Sequence, residues 1–212
     1  MNARPPLPIA VLLSGGGTTL VNLAERVATG RLSAEIRLVI ASNENAGGID
    51  KARALGLPCE VLRRKAAPDA AAYSEAVFSR IRDAGCELVC LAGFLSLLVI
   101  PEDFHGRVMN IHPSLLPAFG GKGMHGRHVH RAVLDAGAKV SGCTVHFADN
   151  TYDTGPILLQ RTCPVLPADD PDTLAARVFT QECEAYPAAV AAFAAGRVRL
   201  EDHRAWIAPP DA

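Results

Sequence analysis

An asparagine and a histidine two residues apart end an apolar run in the middle of the chain. Asn110 and His112 lie in VMNIHP (108–113), and side chains two apart on a strand point to the same face. Pro113 ends the strand after them, because proline cannot donate to a strand ladder. An amide donor beside an imidazole suits acyl transfer, where one group binds a developing oxyanion and the other moves protons. A lone histidine on a strand is more often a core residue, and the asparagine shifts that balance towards chemistry.

Two acids lie in a turn-rich loop at 149–156. Asp153 precedes Thr–Gly–Pro, where the chain must turn back into a strand, and from there it could reach His112. A carboxylate beside the imidazole would raise the pKa of the ring and orient it. Asp149 is equally consistent with a solvated loop residue. The sequence alone shows neither contact.

Three glycines between a strand and a helix form a second candidate site. Gly15, Gly16 and Gly17 are followed by Thr18 and Thr19. Glycines let the backbone approach a ligand, and a helix N-terminus offers free N–H groups, a combination that suits a phosphate. The loop lacks the GK[ST] of a Walker A motif and the third glycine of a dinucleotide fingerprint, so a phosphate monoester fits better than a pyrophosphate. A tight structural turn is an equally good explanation of the loop alone.

One acid interrupts the apolar stripe of the last helix. Leu174, Val178 and Glu182 recur at intervals of four, so an acid occupies a position that should face the core. A buried acid is costly without a partner. A ligand amine would be one partner, and a structural salt bridge with an arginine is favoured by the residues alone.

The elements that would position these residues alternate between strands and helices. This alternation predicts parallel βαβ units in an open, doubly wound, mostly parallel α/β sheet of the Rossmann-like kind. The carboxyl ends of its strands then share one edge, where ligands bind. We expect strands over 9–13, 35–42, 59–62, 88–92, 108–111, 140–147 and 157–163, a short strand after 198, and helices from the glycine loop and over 49–55, 70–84, 125–136 and 172–195.

The composition excludes several classes of function. Lys and Arg number 21 against 22 Asp and Glu, so no surplus of charge favours nucleic acid or a membrane surface. No apolar run is long enough to cross a bilayer, and the first residues lack the layout of a signal peptide. The six cysteines include no CxxC pair. We therefore expect reduced thiols, no metal site and a cytoplasmic location.

Six segments resemble those of the folate-dependent formyltransferase family, and within it the glycinamide ribonucleotide formyltransferases. They are SGGGTTL (14–20), LAGF (91–94), NIHPSLLP (110–117), HF (146–147), DTGPILLQ (153–160) and TQE (180–182), in that family's order over roughly residues 7–200. The resemblance implies transfer of the formyl group of 10-formyltetrahydrofolate to the amine of 5′-phosphoribosylglycinamide, in purine (IMP) biosynthesis. No metal is implied, because the formyl group is already activated.

The resemblance also implies a role for each matching position. Asn110, His112 and Asp153 match the catalytic trio, in which a protonated histidine and the asparagine hold the oxyanion. Glu182 matches the acid that binds the glycinamide amine. The phosphate loop is matched by Gly15, Gly16, Gly17, Thr18 and Thr19. The folate pocket is matched by Phe94, Leu95, Leu97, Leu98, Asp149, Asn150, Thr151 and Tyr152.

Several positions depart from the family pattern. Gly16 and Thr19 stand where many relatives carry asparagine, and Ala71 stands near a phosphate-binding arginine of some relatives. Ser96 replaces an arginine of the folate pocket. The loop 118–130 is longer than in some relatives and carries three histidines, which we expect to place positive charge over the substrate rather than bind a metal.

Other functions stay open at this stage. A sugar-amine formyltransferase, a formyltetrahydrofolate hydrolase, a non-catalytic nucleotide-binding module and a nicotinamide-dependent oxidoreductase are each compatible with part of the pattern. We expect a single domain over 1–212, with a phosphate-binding half at about 7–105 and a catalytic, folate-binding half at about 106–200. We expect neither the N-terminal regulatory domain of the hydrolase nor the added C-terminal domain of a methionyl-tRNA formyltransferase. We expect small-molecule substrates only, and a monomer or homodimer.

Overall fold

The computed structural model describes residues 4–209, and all seven strands expected before residue 198 are present in them. The helices are α1 Thr18–Ala28, α2 Gly48–Ala54, α3 Ala70–Asp83, α4 Arg127–Asp135 and α5 Pro171–Ala194. The strands are β1 Leu7–Leu13, β2 Ala34–Ala41, β3 Cys59–Val61, β4 Leu88–Leu91, β5 Val108–His112, β6 Val140–Phe147, β7 Ile157–Pro164, β8 Val198–Glu201 and β9 Arg204–Ile207.

Seven strands form a sheet in the order β3-β2-β1-β4-β5-β6-β7. β1 pairs in parallel with both β2 and β4, and β2 pairs in parallel with β3, whereas β6 and β7 are antiparallel. The predicted open, mostly parallel α/β fold is therefore confirmed. The short strand expected after residue 198 is half of a hairpin, β8–β9, and the end of that prediction, 210–212, lies outside the described residues.

The chain divides into two compact units, 1–109 and 110–212, and each is described by itself. The first unit is built on β1, whose seven residues are all buried, as expected for a strand covered on both faces. Its α3 begins where the sequence predicts, because the Asp69 carboxylate accepts a hydrogen bond from the Ala72 amide at 2.8 Å. That the whole chain acts as one domain stays a prediction.

The second unit packs α5 against the hairpin formed by β6 and β7. Asp170 caps α5 by accepting from the Asp172 and Thr173 amides, so the helix begins at Pro171, one residue before the expected start. α4 begins at Arg127 rather than at His125, because Gly126 interrupts the helix with a φ of 53°.

No helix within residues 4–209 is both long enough and apolar enough to cross a membrane.

Candidate active site

The strand β5 presents the amide and the imidazole that the sequence singled out. It ends at His112, directly before Pro113, as predicted. His112 is buried, with 3% of its surface exposed, and Asn110 is half-buried. Both side chains therefore stand at the carboxyl end of a strand, in an environment that excludes most water.

The structure brings Asp153 to both of these side chains. Its Oδ2 lies 3.5 Å from His112 Nδ1, and its Oδ1 lies 3.4 Å from Asn110 Nδ2. The Asp153 side chain is itself only 10% exposed. Residues 43 positions apart in sequence thus form one buried cluster of an amide, an imidazole and a carboxylate, which we call the catalytic cluster.

The loop that carries Asp153 is shaped by close backbone contacts. Asp153 adopts a left-handed φ of 58°, a conformation that aspartate tolerates better than most residues. Gly155 lies so close to the Phe147 carbonyl oxygen that a Cβ at this position would collide with it. The Phe147 amide donates to Pro156 at 2.9 Å. The D-x-G-P pattern therefore exists because only glycine lets the chain return against β6 at this point.

Two further groups meet the catalytic cluster, and the sequence had not given either a role. His146 Nε2 lies 3.1 Å from Asn110 Nδ2 and 3.6 Å from Asp153 Oδ1. The Phe119 carbonyl oxygen lies 2.9 Å from His112 Nε2. A histidine inside an otherwise buried apolar strand was the available signal for His146, whereas a backbone carbonyl leaves no trace in a sequence.

The charge state of Asp153 results from opposing causes. Burial would raise its pKa, but the nearby His146 and His112 rings and the Gly121 amide, which donates at 2.9 Å, together hold the pKa below its usual value. Asp153 is therefore ionised at neutral pH and accepts hydrogen bonds from several directions.

Asp153 raises the pKa of His112, as expected, but it does not decide the net shift of the ring. Asp153 and the Phe119 carbonyl do raise the pKa, but burial of the ring is the larger effect and lowers it below the usual value, with a further lowering by His146. His112 is consequently neutral in the free protein at neutral pH. Because a carbonyl can only accept, the ring hydrogen lies on Nε2 and the lone pair of Nδ1 faces Asp153.

A pocket of about 320 Å³ opens beside the catalytic cluster within the second unit. Asp153 forms part of its wall, next to Tyr152, Thr154 and Gly155, and the remaining wall is Leu116, Pro117, Gly120, Gly121 and Ile157. The carboxylate is thus accessible to a small molecule or to water on one side, although its other contacts are buried.

The glycine loop of the first unit has the features expected of an anion site. Gly17 precedes α1 with a φ of 72°, no side chain caps the helix, and no acid occupies its first turn. Gly17 also lies so close to Gly48 that a Cβ would reach within 2.6 Å of the Gly48 Cα. Gly15 and Gly16, in contrast, have open space where a Cβ would be. The first amides of α1 are therefore unblocked and carry the positive end of the helix dipole.

The Gly15–Thr19 loop is held in place by a network of hydrogen bonds from neighbouring residues. Ser14 Oγ lies 2.6 Å from Ser42 Oγ and accepts from the Leu95 amide at 2.9 Å. Asn43 donates to the Ser14 carbonyl at 3.0 Å, and the Gly48 amide donates to the Gly15 carbonyl at 3.0 Å. These contacts hold the loop rigid. They do not involve the side chain of Thr18, which is exposed, or that of Thr19, which is half-buried.

The residues matched to the folate pocket fall in two segments. In the first unit, Phe94 and Leu98 are buried, Leu97 is half-buried and Leu95 is 47% exposed. The other segment, Asp149–Tyr152, belongs to the loop of Asp153. There the Asp149 carboxylate accepts from the Thr151 amide at 2.9 Å and from the Thr154 hydroxyl, which makes it a turn-forming residue. Ser96 forms a hydrogen bond with Tyr73, which lowers the pKa of Tyr73, although burial leaves that pKa raised.

Glu182 is a half-buried acid on α5. Burial raises its pKa to about 7, and no hydrogen-bonding or charged neighbour among residues 4–209 contributes to this shift. The arginine salt bridge that the sequence favoured is therefore not formed by the described part of the chain. Glu182 can therefore bind a cation when it is ionised or donate a hydrogen bond when it is protonated.

The side chains of the described residues do not form a cluster of metal ligands. Within residues 4–209 no group of three His, Cys, Asp or Glu side chains could hold a metal ion. The six cysteines, from Cys59 to Cys183, are free thiols.

Comparison with known proteins places these features in one family. A protein of Escherichia coli (strain K12) named phosphoribosylglycinamide formyltransferase is 34% identical over 94% of this chain and 92% of its own. The structure of glycinamide ribonucleotide transformylase 1 from Symbiobacterium toebii is 37% identical, covers 98% of this chain and 96% of its own, and superimposes with a TM-score of 0.91.

A longer relative contains a similar sequence as one part. The trifunctional purine biosynthetic protein adenosine-3 of Drosophila pseudoobscura pseudoobscura is 38% identical over all of this chain, which spans only 15% of that protein. The family model described as formyl transferase matches residues 7–190. The chain belongs to the formyl transferase family.

Proposed function

We propose that this enzyme transfers the formyl group of 10-formyltetrahydrofolate to the amine of 5′-phosphoribosylglycinamide. The observation that carries the proposal is the buried contact of Asp153 with both Asn110 and His112, on a fold shared with the transformylases. An amide donor, an imidazole and an ionised acid within one cluster are the groups that acyl transfer to an amine requires. The reaction belongs to purine biosynthesis.

The first step is attack of the neutral substrate amine on the formyl carbon. The carbonyl oxygen becomes an oxyanion, which accepts hydrogen bonds from the Asn110 amide and from Nε2–H of His112. That ring hydrogen is bonded to the Phe119 carbonyl in the free enzyme, so the oxyanion takes the place of a neutral acceptor already in position. A charged acceptor forms the stronger bond, which favours the transition state over the ground state.

The second step moves one proton from the attacking nitrogen to the leaving nitrogen. The Nδ1 lone pair of His112 and Oδ2 of Asp153 face one another at 3.5 Å, so a proton taken up here is shared by the pair. Ionised Asp153 stabilises the imidazolium that results. The same proton then passes to the folate nitrogen as the tetrahedral intermediate collapses, and tetrahydrofolate leaves.

Binding of the two substrates is assigned to the remaining residues. The Gly15–Thr19 loop binds the ribonucleotide phosphate through main-chain N–H groups, and Glu182 binds the glycinamide end. A cationic amine beside Glu182 would stabilise the ionised form that burial disfavours, and the amine attacks only after it has lost this extra proton to solvent. The folate donor contacts the segment 94–98 and the loop 149–152, in which Asp149 holds the turn.

The test is an assay of formyl transfer with the purified protein. The protein is mixed with 5′-phosphoribosylglycinamide and 10-formyltetrahydrofolate or its dideaza analogue, and the absorbance change of deformylation is followed with and without the ribonucleotide. We expect turnover only when both are present. Asn110→Ala and His112→Ala should each lower kcat by about 10²–10³, the usual value of one oxyanion donor.

Other outcomes identify the alternative functions. Formate release without the ribonucleotide would establish a hydrolase, and transfer to a sugar amine instead would establish a different acceptor. Near-normal turnover in both variants would refute the roles of Asn110 and His112. We further propose that the enzyme works in the cytoplasm without a nucleic-acid or membrane partner, as a monomer or homodimer.

A further inference from the structure

His146 contacts the catalytic cluster but takes no part in the chemistry described above. It lies on β6 and is buried, with 2% of its surface exposed. Its Nδ1 is 2.9 Å from the Phe147 carbonyl oxygen. A carbonyl accepts and never donates, so the hydrogen of a neutral His146 ring lies on Nδ1 and the lone pair lies on Nε2.

The Asn110 amide gives a second, independent constraint on the same ring. Asn110 Nδ2 lies 3.4 Å from Asp153 Oδ1, and an ionised carboxylate can only accept. If the amide were turned over, its oxygen would face the carboxylate oxygen and both contacts would become repulsive. The nitrogen therefore faces Asp153, and the same nitrogen lies 3.1 Å from His146 Nε2, which must accept.

We propose that His146 is a positioning residue for formyl transfer, whose neutral ring fixes the orientation of the Asn110 amide. One amide hydrogen is bonded to His146 Nε2. The other is bonded only weakly, with Asn110 Nδ2 3.4 Å from Asp153 Oδ1. When the oxyanion forms, this hydrogen changes its hydrogen-bond acceptor from Asp153 to the oxyanion. Without His146, the amide is free to rotate and to donate both hydrogens elsewhere.

The contacts of His146 show why its Nε2 must remain an acceptor if Asn110 is to keep its orientation. His112 on β5 and Asp153 on the loop before β7 are the titratable side chains that act on this part of the cluster. A proton on His146 Nε2 would be directed at Asp153 Oδ1 and would expel the Asn110 hydrogen. The amide would then turn its oxygen towards His146 and lose its place as an oxyanion donor.

This inference rests on the proposed function, and two substitutions separate positioning from packing. His146→Leu keeps the volume of the ring and removes its acceptor, and we expect kcat to fall about 10- to 100-fold, up to the lower bound for loss of one oxyanion donor. His146→Gln restores an acceptor close to the position of Nε2. We expect its kcat to stay within about fivefold of the wild-type value, as a retained hydrogen bond predicts. The matched control is His105→Leu, which removes a ring held by the Ile100 carbonyl.

A double-mutant cycle tests whether His146 acts through Asn110. In an Asn110→Ala background, His146→Leu should change kcat by less than about threefold, because residues that act through one another are not additive. An undiminished effect in that background, or equal damage from His146→Gln and His146→Leu, would overturn the proposal.

A measurement that does not depend on turnover keeps this inference distinct from the proposed function. ¹⁵N NMR of histidine-labelled wild-type enzyme at neutral pH should show a protonated Nδ1 and an unprotonated Nε2 for His146, assigned by its loss in His146→Gln. A protonated Nε2 would refute the inference even if the enzyme transfers formyl groups. Absence of transfer with the expected tautomer would refute the function and leave the Asn110 orientation intact.

Discussion

The glycine loop and the catalytic cluster present opposite kinds of chemical groups. The loop offers main-chain N–H groups, with open space at Gly15 and Gly16. The cluster offers three buried or half-buried side chains that contact one another. Under the proposed function, recognition by the main chain would tolerate changes of side chain, so Gly16 and Thr19 could stand where many relatives carry asparagine. Side-chain chemistry in a buried site does not tolerate such changes.

The two regions also differ in how they are stabilised. The loop is held by short-range turns and by Ser14, whose contacts with Ser42 and the Leu95 amide join three strand ends of the first unit. The cluster depends on Asp153, which carries a charge in spite of burial. An asparagine introduced by mutation should therefore be silent in the loop and severe in place of Asp153 in the cluster, and four predictions test this contrast.

The largest effect is expected from Asp153→Asn. The substitution keeps the shape but removes the charge that stabilises a protonated His112, so kcat should fall about 10³-fold, within the range typical of general acid–base groups. The KM for the ribonucleotide should change little. The matched control is Asp202→Asn, because Asp202 also has a positive φ, of 49°, but lies in the β8–β9 turn. Steady-state kinetics of both variants decide the matter, and equal kcat values would remove Asp153 from the chemistry.

The next effect compares two substitutions of equal size in the glycine loop. Nothing lies within 4 Å of a Cβ at Gly16, so Gly16→Asn and Gly16→Asp both fit. The aspartate should raise the KM for the ribonucleotide about 100-fold, because like charges in contact cost several kcal/mol. The asparagine should leave the KM within a few-fold of the wild type. Kinetics at several ribonucleotide concentrations measure both, and a similar KM for the two variants would show that no anion binds at this loop.

A third prediction concerns how Glu182 changes the pH dependence of the free energy of unfolding. Its folded-state pKa of about 7 lies above the usual 4.5, so the stability gained from the neutral acid is complete below 4.5 and is lost as pH rises through 7. Glu182→Gln should therefore match the wild type in free energy of unfolding at acid pH and exceed it by on the order of 3 kcal/mol well above neutrality, at about 1.4 kcal/mol per pKa unit. Denaturant unfolding at both pH values measures this.

Substrate binding should respond to Glu182→Gln in the opposite direction. The variant cannot pair with a cationic amine, and the KM for the ribonucleotide should rise about tenfold, as expected for a hydrogen bond to a charged group. A variant that is stabilised above neutrality and also binds the ribonucleotide normally would separate this acid from the substrate.

The same contrast explains what the sequence could and could not predict. The alternation of strands and helices, the end of β5 at Pro113 and the cap at Asp69 follow from local patterns, and the structure has all of them. The pKa of His112 could not be predicted, because burial outweighs Asp153 and burial is a property of the packed fold. The Phe119 carbonyl and the His146 ring could not be assigned, since main-chain contacts and long-range pairs have no local signature.

The smallest effect is expected from substitutions of Asp149, which lies in the same loop as Asp153. Its carboxylate is occupied by the Thr151 amide and the Thr154 hydroxyl, so it shapes the loop rather than meeting a ligand directly. Asp149→Ala should lower the free energy of unfolding by about 1 kcal/mol, the net value of a typical hydrogen bond. Asp149→Asn, which keeps one acceptor oxygen, should recover most of that loss.

Kinetics distinguish this role of Asp149 from contact with the folate. If the carboxylate only holds the turn, the KM for the formyl donor should stay within about threefold in Asp149→Asn, because the remaining amide oxygen keeps the hydrogen bond to the turn. A donor KM raised to the same extent in both Asp149 variants would show that the charge itself contacts the folate. Side-chain contacts with the substrates would then include Asp149 as well as Asp153 in this loop.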